Sequence, residues 1–430
     1  MLVSVAQINP TIADLSGNVA LCLQAAKAGR LAGADLVVLP EMAIPGYPPR
    51  DLLYDPSFID AIEMAHQDLA IRSADGPPLL IGSVIRGGSP APNHPGLLNV
   101  ALLFEKGEIR TVAEKQLLPI YDVFLEPRWF VPGRPGVPFE ISGARIGVMI
   151  CEDMWDEGYA QDPGQALSRQ GAELLIVLSA SPFRQGIFEK RFYHARRQPL
   201  PLLYVNLVGC SDELIFDGGS FLLDGDGSLR AQLPRFETSQ QEVNPFQKGA
   251  SDIDAGDDIG MLYKALVAGI RDFAAKNRMR HLVLGLSGGI DSAVVAALAA
   301  EAIGPEQVTG VAIPSRFTNP CSTESASLLA QRLGIGFEIV SLEPLHAAAV
   351  HMLGSSAEAG TASENVQVRL RMLILMGIVN NRGGMLLNTS NKTELALGYA
   401  TLYGDMAGGL SPLGDVIKPE VYALAHYINR

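Results

Sequence analysis

The sequence predicts an α/β protein of two domains, and three observations carry that reading. Short apolar runs alternate with helical patterns over most of the chain. In the second half a strand, a glycine turn, a helix and a strand follow in immediate succession, the order of a parallel, doubly wound sheet. Between the halves, residues 237–258 (ETSQQEVNPFQKGASDIDAGDD) are polar and acidic without an apolar run, and read as a linker. The expected domains are therefore 1–236 and 259–430.

The bulk numbers agree. A chain of 430 residues with 48% apolar and 18% charged residues can bury large cores and is not disordered. Its net charge of -13 repels nucleic-acid phosphates and anionic membranes, so neither is an expected partner. The longest basic cluster, Lys276 to Arg280, ends a predicted helix, where cations suit the macrodipole. No apolar stretch reaches the roughly 18 residues of a membrane span. The four cysteines (22, 151, 210, 321) form no CxxC pair and follow no secretory signal. A reducing, cytoplasmic setting is expected.

In the first half, LVSVAQI, DLVVLP, LLIGSVI, RIGVMI, ELLIVLSAS and PLLYVNLVG read as strands. LLNVALLF and IRTVAEK flank EKGE as a hairpin, and GSFLLDGDGSLRAQL reads as strand, turn and strand. Helices are expected at Asn18–Leu31, Pro56–Arg72 and Phe188–Arg197. In the second half, a helix over Ile259–Asn277 precedes the strand HLVLGL, a helix over Asp291–Ile303 and the strand VTGVAIP. A helix at 323–333, the strand FEIVSL, a long helix over Glu364–Arg382, the strand GMLLNTS and a short helix at Thr393 follow.

The chemistry of the second half starts at LGLSGGIDSA, Leu284 to Ala293. Glycines at a strand end let backbone amides point at an anion above a helix N-terminus. Ser287 and Ser292 add hydroxyls, and Asp291 either caps the helix or ligates magnesium. The pattern SGGxDS resembles the pyrophosphate loop of the N-type ATP pyrophosphatases, which break ATP between the α and β phosphates. Further on, SENVQVRLRM (363–372) and the string NTSNKTELALGYATLYGD (388–405) make the region 259–430 resemble NAD synthetases. Singly, Arg369, Glu394 and Thr389 read equally well as a surface charge, an exposed helix residue and a cap. The resemblance implies that Gly285, Leu286, Ser287, Gly288, Gly289, Ile290, Asp291, Ser292, Thr389 and Lys418 bind ATP. It implies that Asn365, Arg369 and Glu394 hold deamido-NAD, that Asp291 and Glu394 serve Mg2+, and that the domain assembles into a homo-oligomer.

Three stretches carry the chemistry of the first half: VVLPEMAIPGYPPRDL, AEKQLLPIYDVFLEPRWFVPG and IGVMICEDMW. Glu41 follows a strand, and Lys115 and Cys151 each end one, so three reactive groups meet at a sheet edge. No histidine lies near them in sequence. Glu41 can take the thiol proton, while Lys115 and the Glu152 amide can stabilise an oxyanion. Taken singly, a buried cysteine, a capping glutamate and a surface lysine would be ordinary. Together the motifs resemble the nitrilase (C–N hydrolase) superfamily. That resemblance implies a four-layer αββα sandwich with Cys151 as nucleophile, Glu41 as base, Lys115 as third member and Glu126 assisting. It further implies that Tyr121 and Ser181 bind glutamine, together with position 187. There Ile187 stands where that family usually has lysine or arginine, leaving the contact to main chain, Lys190 or Arg191.

Both resemblances together imply glutamine-dependent amidation of deamido-NAD, with ATP consumed. Two other readings use the same motifs: an amidase fused to a domain adenylating another acid, and an amidase with a domain that only senses nucleotide. The chain stops at YALAHYINR, where the family pattern continues into a closing loop. The synthetase half is therefore expected to be shorter than the family's.

Overall fold

The computed structural model describes residues 1–88, 94–155, 157–247, 249, 251, 256–354 and 360–430. It divides into two compact units, Met1–Ala255 and Gly256–Arg430.

The first unit contains β1 (Val3–Gln7), α1 (Leu15–Ala32), β2 (Leu36–Val38), α2 (Pro56–Ser73), β3 (Leu79–Arg86), β4 (Leu97–Glu105) and β5 (Glu108–Glu114). Then come β6 (Phe139–Ile141), β7 (Ala144–Ile150), α3 (Pro163–Arg169), β8 (Leu174–Ser179), α4 (Ile187–Arg196) and β9 (Leu202–Asn206). The strands β10 (Val208–Ser211), β11 (Leu214–Asp217), β12 (Phe221–Leu223), β13 (Leu229–Gln232) and β14 (Ser239–Val243) complete it. Two six-stranded sheets form, in the orders β14-β1-β2-β3-β4-β5 and β13-β12-β9-β8-β7-β6. Each has a parallel centre (β1, β2, β3 and β7, β8, β9) with antiparallel strands at its flanks.

Alternation along the strands shows what each sheet face buries. Val3, Val5, Leu36, Val38 and Leu80 pack in one cluster with Ile146, Val148, Leu174, Ile176 and Leu178 of the other sheet. The residues between them face outward: Val37, Leu79 and Ile81 meet Cys22, Ala25 and Leu69 of α1 and α2. Met149, Leu175 and Val177 meet Leu167, Phe188 and Phe192 of α3 and α4. Strands buried on both faces must be near-continuously apolar, as these are. The result is the four-layer helix–sheet–sheet–helix sandwich. Helix α1 starts three residues before the expected Asn18 because Asp14 caps it, accepting from Gly17 N at 3.0 Å.

The linker expected at 237–258 is corrected in part. Residues 239–243 form β14, paired antiparallel to β1 from Val3↔Val243 to Gln7↔Ser239. Its sequence SQQEV hides this, because an edge strand needs backbone pairing rather than apolar alternation. Polar contacts reinforce it: Gln240 Nε2 donates to Ser4 Oγ at 2.7 Å.

The second unit contains α5 (Asp258–Lys276), β15 (Leu282–Gly285), α6 (Ile290–Ile303), β16 (Val308–Ala312), α7 (Pro320–Leu333), β17 (Gly336–Ile339) and α8 (Glu343–Leu353). It continues through α9 (Gly360–Arg382), β18 (Met385–Leu387), α10 (Lys392–Leu397) and α11 (Lys418–Ile428). All four strands are parallel, in the order β17-β16-β15-β18. Leu282, Leu284 and Leu387 face Val295, Leu298 and Leu424 of α6 and α11. Val283, Val311 and Leu386 face Leu375 and Val379 of α9. Helices thus cover both faces, and the strand order reverses beside β15, where such sheets bind ligands. Helix α8 was not anticipated, and the strand expected over FEIVSL ends at Ile339. No helix among the described residues is long and apolar enough to cross a membrane.

Ile176, fully buried between the two sheets, tests this packing. Ile176→Ala should lower unfolding free energy by about 2–5 kcal/mol, read as a lower urea midpoint. Leu31→Ala, at an 80%-exposed position of α1, should change it by no more than about 0.5 kcal/mol.

Candidate active site

The face-to-face sheets bring strand ends together. Glu41 lies just beyond β2, Lys115 just beyond β5, Cys151 just beyond β7 and Ala180 just beyond β8. Glu41 reaches its place because Gly82 on β3 has no side chain; a Cβ there would stand 2.4 Å from the Glu41 Cα. Lys115 Nζ donates to Glu41 Oε1 at 2.9 Å and to Glu126 Oε1 at 2.8 Å. Asn99 Nδ2 also donates to Glu41 Oε1, at 2.7 Å, and Ala180 N donates to Glu41 Oε2 at 2.8 Å. That last bond ties the two sheets directly. Glu41, Lys115, Glu126 and Cys151 are all buried.

Cys151 has a φ of 44°, a left-handed conformation that costs a side-chain-bearing residue energy. Asp153 holds the turn in place. Its Oδ2 accepts from Ile150 N at 3.1 Å, and its Oδ1 from Gln116 N and Leu117 N at 3.0 and 2.9 Å. The nucleophile's turn is thereby joined to the segment that follows Lys115. Ser179 Oγ donates to Cys151 Sγ at 3.3 Å and shares a hydrogen bond with Tyr204 OH at 2.8 Å.

Burial pushes the Cys151 thiol well above its ordinary range, and the Glu41 charge adds to this against Lys115. The resting sulfur is therefore a thiol, and attack requires proton transfer. Burial works against the Lys115 charge, but Glu126 and Glu41 overcome it and hold the ammonium well above its usual range. Burial likewise raises the Glu126 carboxyl, against the pull of Lys115.

Around this row, Tyr121 is half-exposed and donates to Glu152 Oε2 at 2.8 Å, while Tyr159 donates to Glu152 Oε1 at 3.0 Å. Ser181 is buried; its N–H donates to Asn206 Oδ1 at 2.9 Å and its Oγ accepts from Arg191 Nε at 3.0 Å. Ile187 is buried at the start of α4. The cation beside Ser181 is Arg191, fully buried and paired with Asp217 Oδ1 at 2.8 Å; Lys190 is exposed.

In the second unit a cavity of about 390 Å³ lies at the strand ends. Gly285, Leu286, Ser287 and Thr389 line it, beside Arg371, Asn388 and Asp405. Gly288, Gly289, Ile290, Asp291 and Ser292 are not on its wall but build the loop next to it, and Lys418, also off the wall, is the first residue of α11. Gly288 has φ 83°, and a Cβ there would stand 2.3 Å from Ser322 O, so only glycine fits. Ser292 Oγ donates to Gly289 O at 3.0 Å and meets Ser287 Oγ at 3.2 Å. The loop amides and the N-terminus of α6 make an anion cradle.

Asp291 accepts from Asn391 Nδ2 at 2.9 Å and from Lys418 Nζ at 2.5 Å. Asn391 caps α10 and exchanges bonds of 3.1 Å with Glu394. One asparagine thus links the two carboxylates expected to serve a metal. No group of three or more histidine, cysteine or acidic residues suited to a metal occurs among the described residues. Asn365 and Arg369 do not line the cavity. Asn365 Oδ1 accepts from Thr401 Oγ1 at 2.8 Å, and the exposed Arg369 donates to Leu402 O at 3.0 Å. Both steady the turn over 401–405.

The Carbon-nitrogen hydrolase family model matches residues 2–245, and the NAD synthase model matches residues 262–430. The glutamine-dependent NAD(+) synthetase of Rhodobacter capsulatus is 41% identical over 99% of this chain and 78% of its own length. The chain belongs to the glutamine-dependent NAD(+) synthetase family. The synthetase of that name from Synechocystis sp. is 38% identical, over all of this chain and 80% of its own. A solved family member from Acinetobacter baumannii, in complex with ADP, has a TM-score of 0.90 and 33% identity, covering 99% of this chain and 81% of that one. The structure of another from Cytophaga hutchinsonii has a TM-score of 0.85 at 24% identity and shares the fold. This chain spans about four fifths of the length of these relatives. The two alternative readings of the second half find no support in these matches.

Several residues that the geometry singles out escaped the sequence reading. Asn99, a lone polar residue inside LLNVALLF, carried a signal. Asp153 and Ser179, one in the cysteine motif and one at a strand end, carried weaker ones. Asn391 had none beyond the motif string around it, whereas Arg371, on the cavity wall, was noted in SENVQVRLRM without a role. Arg371 donates to Ile313 O at 3.1 Å, and burial lowers its hold on its proton.

The charges around the thiol set its reactivity with iodoacetamide. Glu41 raises the thiol and Lys115 lowers it. Alkylation should therefore begin at lower pH in Glu41→Gln than in wild type, and at higher pH in Lys115→Met. Identical profiles in all three proteins would contradict this electrostatic arrangement.

Proposed function

We propose that this chain makes NAD by amidating deamido-NAD with ammonia freed from glutamine, at the expense of ATP. The observation that carries the reading is the buried Glu41–Lys115–Cys151 cluster in the same chain as the SGGIDS loop. In the first unit Cys151 gives its proton to Glu41 as Sγ attacks the side-chain amide carbon of glutamine. Lys115 and the Glu152 amide receive the negative charge that develops on the amide oxygen. Glu41 returns the proton to the departing nitrogen, ammonia leaves, and a glutamyl thioester remains. Water, losing a proton to Glu41, then releases glutamate and restores the thiol. Glu126 keeps Lys115 in position from the other side.

Tyr121 and Ser181 take the backbone end of glutamine. With Ile187 unable to pair with a carboxylate, Arg191 acts there through Ser181, whose hydroxyl it holds.

In the second unit a carboxylate oxygen of the nicotinate attacks the α-phosphorus of ATP, and pyrophosphate leaves. Gly285 to Ser292, Thr389 and Lys418 hold ATP and its departing pyrophosphate; Asn365, Arg369 and Glu394 hold deamido-NAD. Ammonia then displaces AMP from the adenylate. Asp291 and Glu394 suit Mg2+ as hard oxygen donors, because that ion commonly takes one or two carboxylates alongside substrate phosphates. When bound, it supplies charge neutralisation at the phosphate oxygens. The second unit also exposes Leu397, Tyr399, Leu402 and Tyr403 in one short stretch, which fits assembly into a homo-oligomer.

Cys151→Ala should lower glutamine-driven NAD synthesis by about a thousandfold or more while ammonium salts still drive it. Asp291→Asn should slow pyrophosphate release by about a hundredfold with glutaminase activity retained. With amide-15N glutamine, label should appear in the carboxamide of NAD. Its absence, with ATP and deamido-NAD present and glutamate released, would overturn the proposal.

A further inference from the structure

Asn99 lies in the middle of β4 at 1% exposure, flanked in the strand by Leu98 and Val100. A carboxamide there is costly unless both ends are bonded. Only one end is. Nδ2 donates to Glu41 Oε1 at 2.7 Å, while no donor reaches Oδ1 among the described residues. An asparagine retained for scaffolding would use both ends; this one is held for its donor alone. Its main chain takes part as well, since Asn99 O accepts from Lys115 N at 2.8 Å. One residue of β4 thereby sets the base through its side chain and the lysine through its backbone.

We propose that Asn99 is a positioning residue for Glu41, fixing which carboxylate oxygen receives the thiol proton. This rests on the glutaminase reading above. Oε1 already accepts from two side chains, Asn99 and Lys115. Oε2 accepts one bond, from Ala180 N, and Ala180 follows Ser179, whose hydroxyl touches Cys151 Sγ. The proton therefore goes to Oε2. The charge of Glu41 acts on Lys115, Glu126, Cys151, Glu152 and Tyr47, of which Lys115 alone is a cation. A neutral amide donor steadies the carboxylate without a second positive charge, which would weaken it as a base.

Glutamine hydrolysis by the full chain, measured against pH, tests this in two variants. Asn99→Leu should lower kcat by about 10- to 100-fold with KM changed no more than about twofold. Its unfolding midpoint should not fall, and the acidic limb of its pH profile should move to higher pH, since the lost bond favoured the charged carboxylate. Asn99→Asp keeps the shape but can donate only while protonated, so its optimum should move the opposite way, to lower pH. If Asn99→Leu does not fold, the Asn99→Asp profile decides alone. The inference is overturned if the pH profiles match wild type, or if the loss lies wholly in KM or in a lowered unfolding midpoint. Wild-type chain that releases no glutamate from glutamine would instead overturn the glutaminase reading.

Discussion

The first unit depends on keeping one ammonium charged between two carboxylates in a dry interior. Lys115 is 1% exposed and bonds both Glu41 and Glu126. Removing either carboxylate would leave a buried charge short of partners, a far larger penalty than losing a surface pair. The row therefore holds its own geometry, and with it the ends of β2 and β5. Glu41 is also bonded by Ala180 N of the opposite sheet. A reactive cluster and the packing of two sheets are in this way the same set of interactions.

That coupling explains why the cysteine tolerates a strained backbone. A positive φ at a residue with a side chain persists only where its surroundings over-determine it. Asp153 does so with three backbone bonds, and the turn sits between a buried strand and the segment after Lys115. In this turn Sγ accepts from Ser179 Oγ at 3.3 Å. The second unit meets its own problem differently. On the proposed reading the charge to be held there belongs to a ligand, which amides, hydroxyls and a helix end suit better than a fixed ion row. Its two carboxylates are tied to neutral Asn391, and Lys418 offsets Asp291.

Much of this was legible in the sequence because periodicity and motif coincide. Strands buried on both faces, such as ELLIVLSAS, announce themselves by uninterrupted apolarity, and the helix expected over Pro56–Arg72 forms as α2 (Pro56–Ser73). Glu41 and Cys151 could be found because each follows such a strand, while Lys115, at the end of the polar strand β5, could be found only through its motif stretch. What stayed hidden has a common physical cause. Strand β14 is held by main-chain pairing, which leaves no trace in side-chain pattern. Asn99, Ser179 and Tyr204 act through contacts between residues far apart in the chain, which spacing does not encode. Asn365 and Arg369, recognised from a motif string, bond to Thr401 and Leu402 rather than to the cavity, a placement no spacing argument supplies.

Ile187 stands where the resemblance expects a cation, and a different cation lies close by in the structure. An isoleucine at the first turn of α4 is buried and carries no charge, yet a buried guanidinium one turn further along bonds both Oγ and the carbonyl of Ser181. Arg191 is itself neutralised by Asp217, and Asp217 also accepts from Arg235 at 3.0 Å. Asp217 thus joins two arginines in this region. An anionic group bound near Ser181 would meet the hydroxyl that Arg191 holds. A hydroxyl that accepts from Arg191 is also polarised, which makes it a better donor to such a group. On the proposed glutaminase reading, the contact that a cation at position 187 would make falls instead to Ser181, whose hydroxyl and carbonyl Arg191 holds.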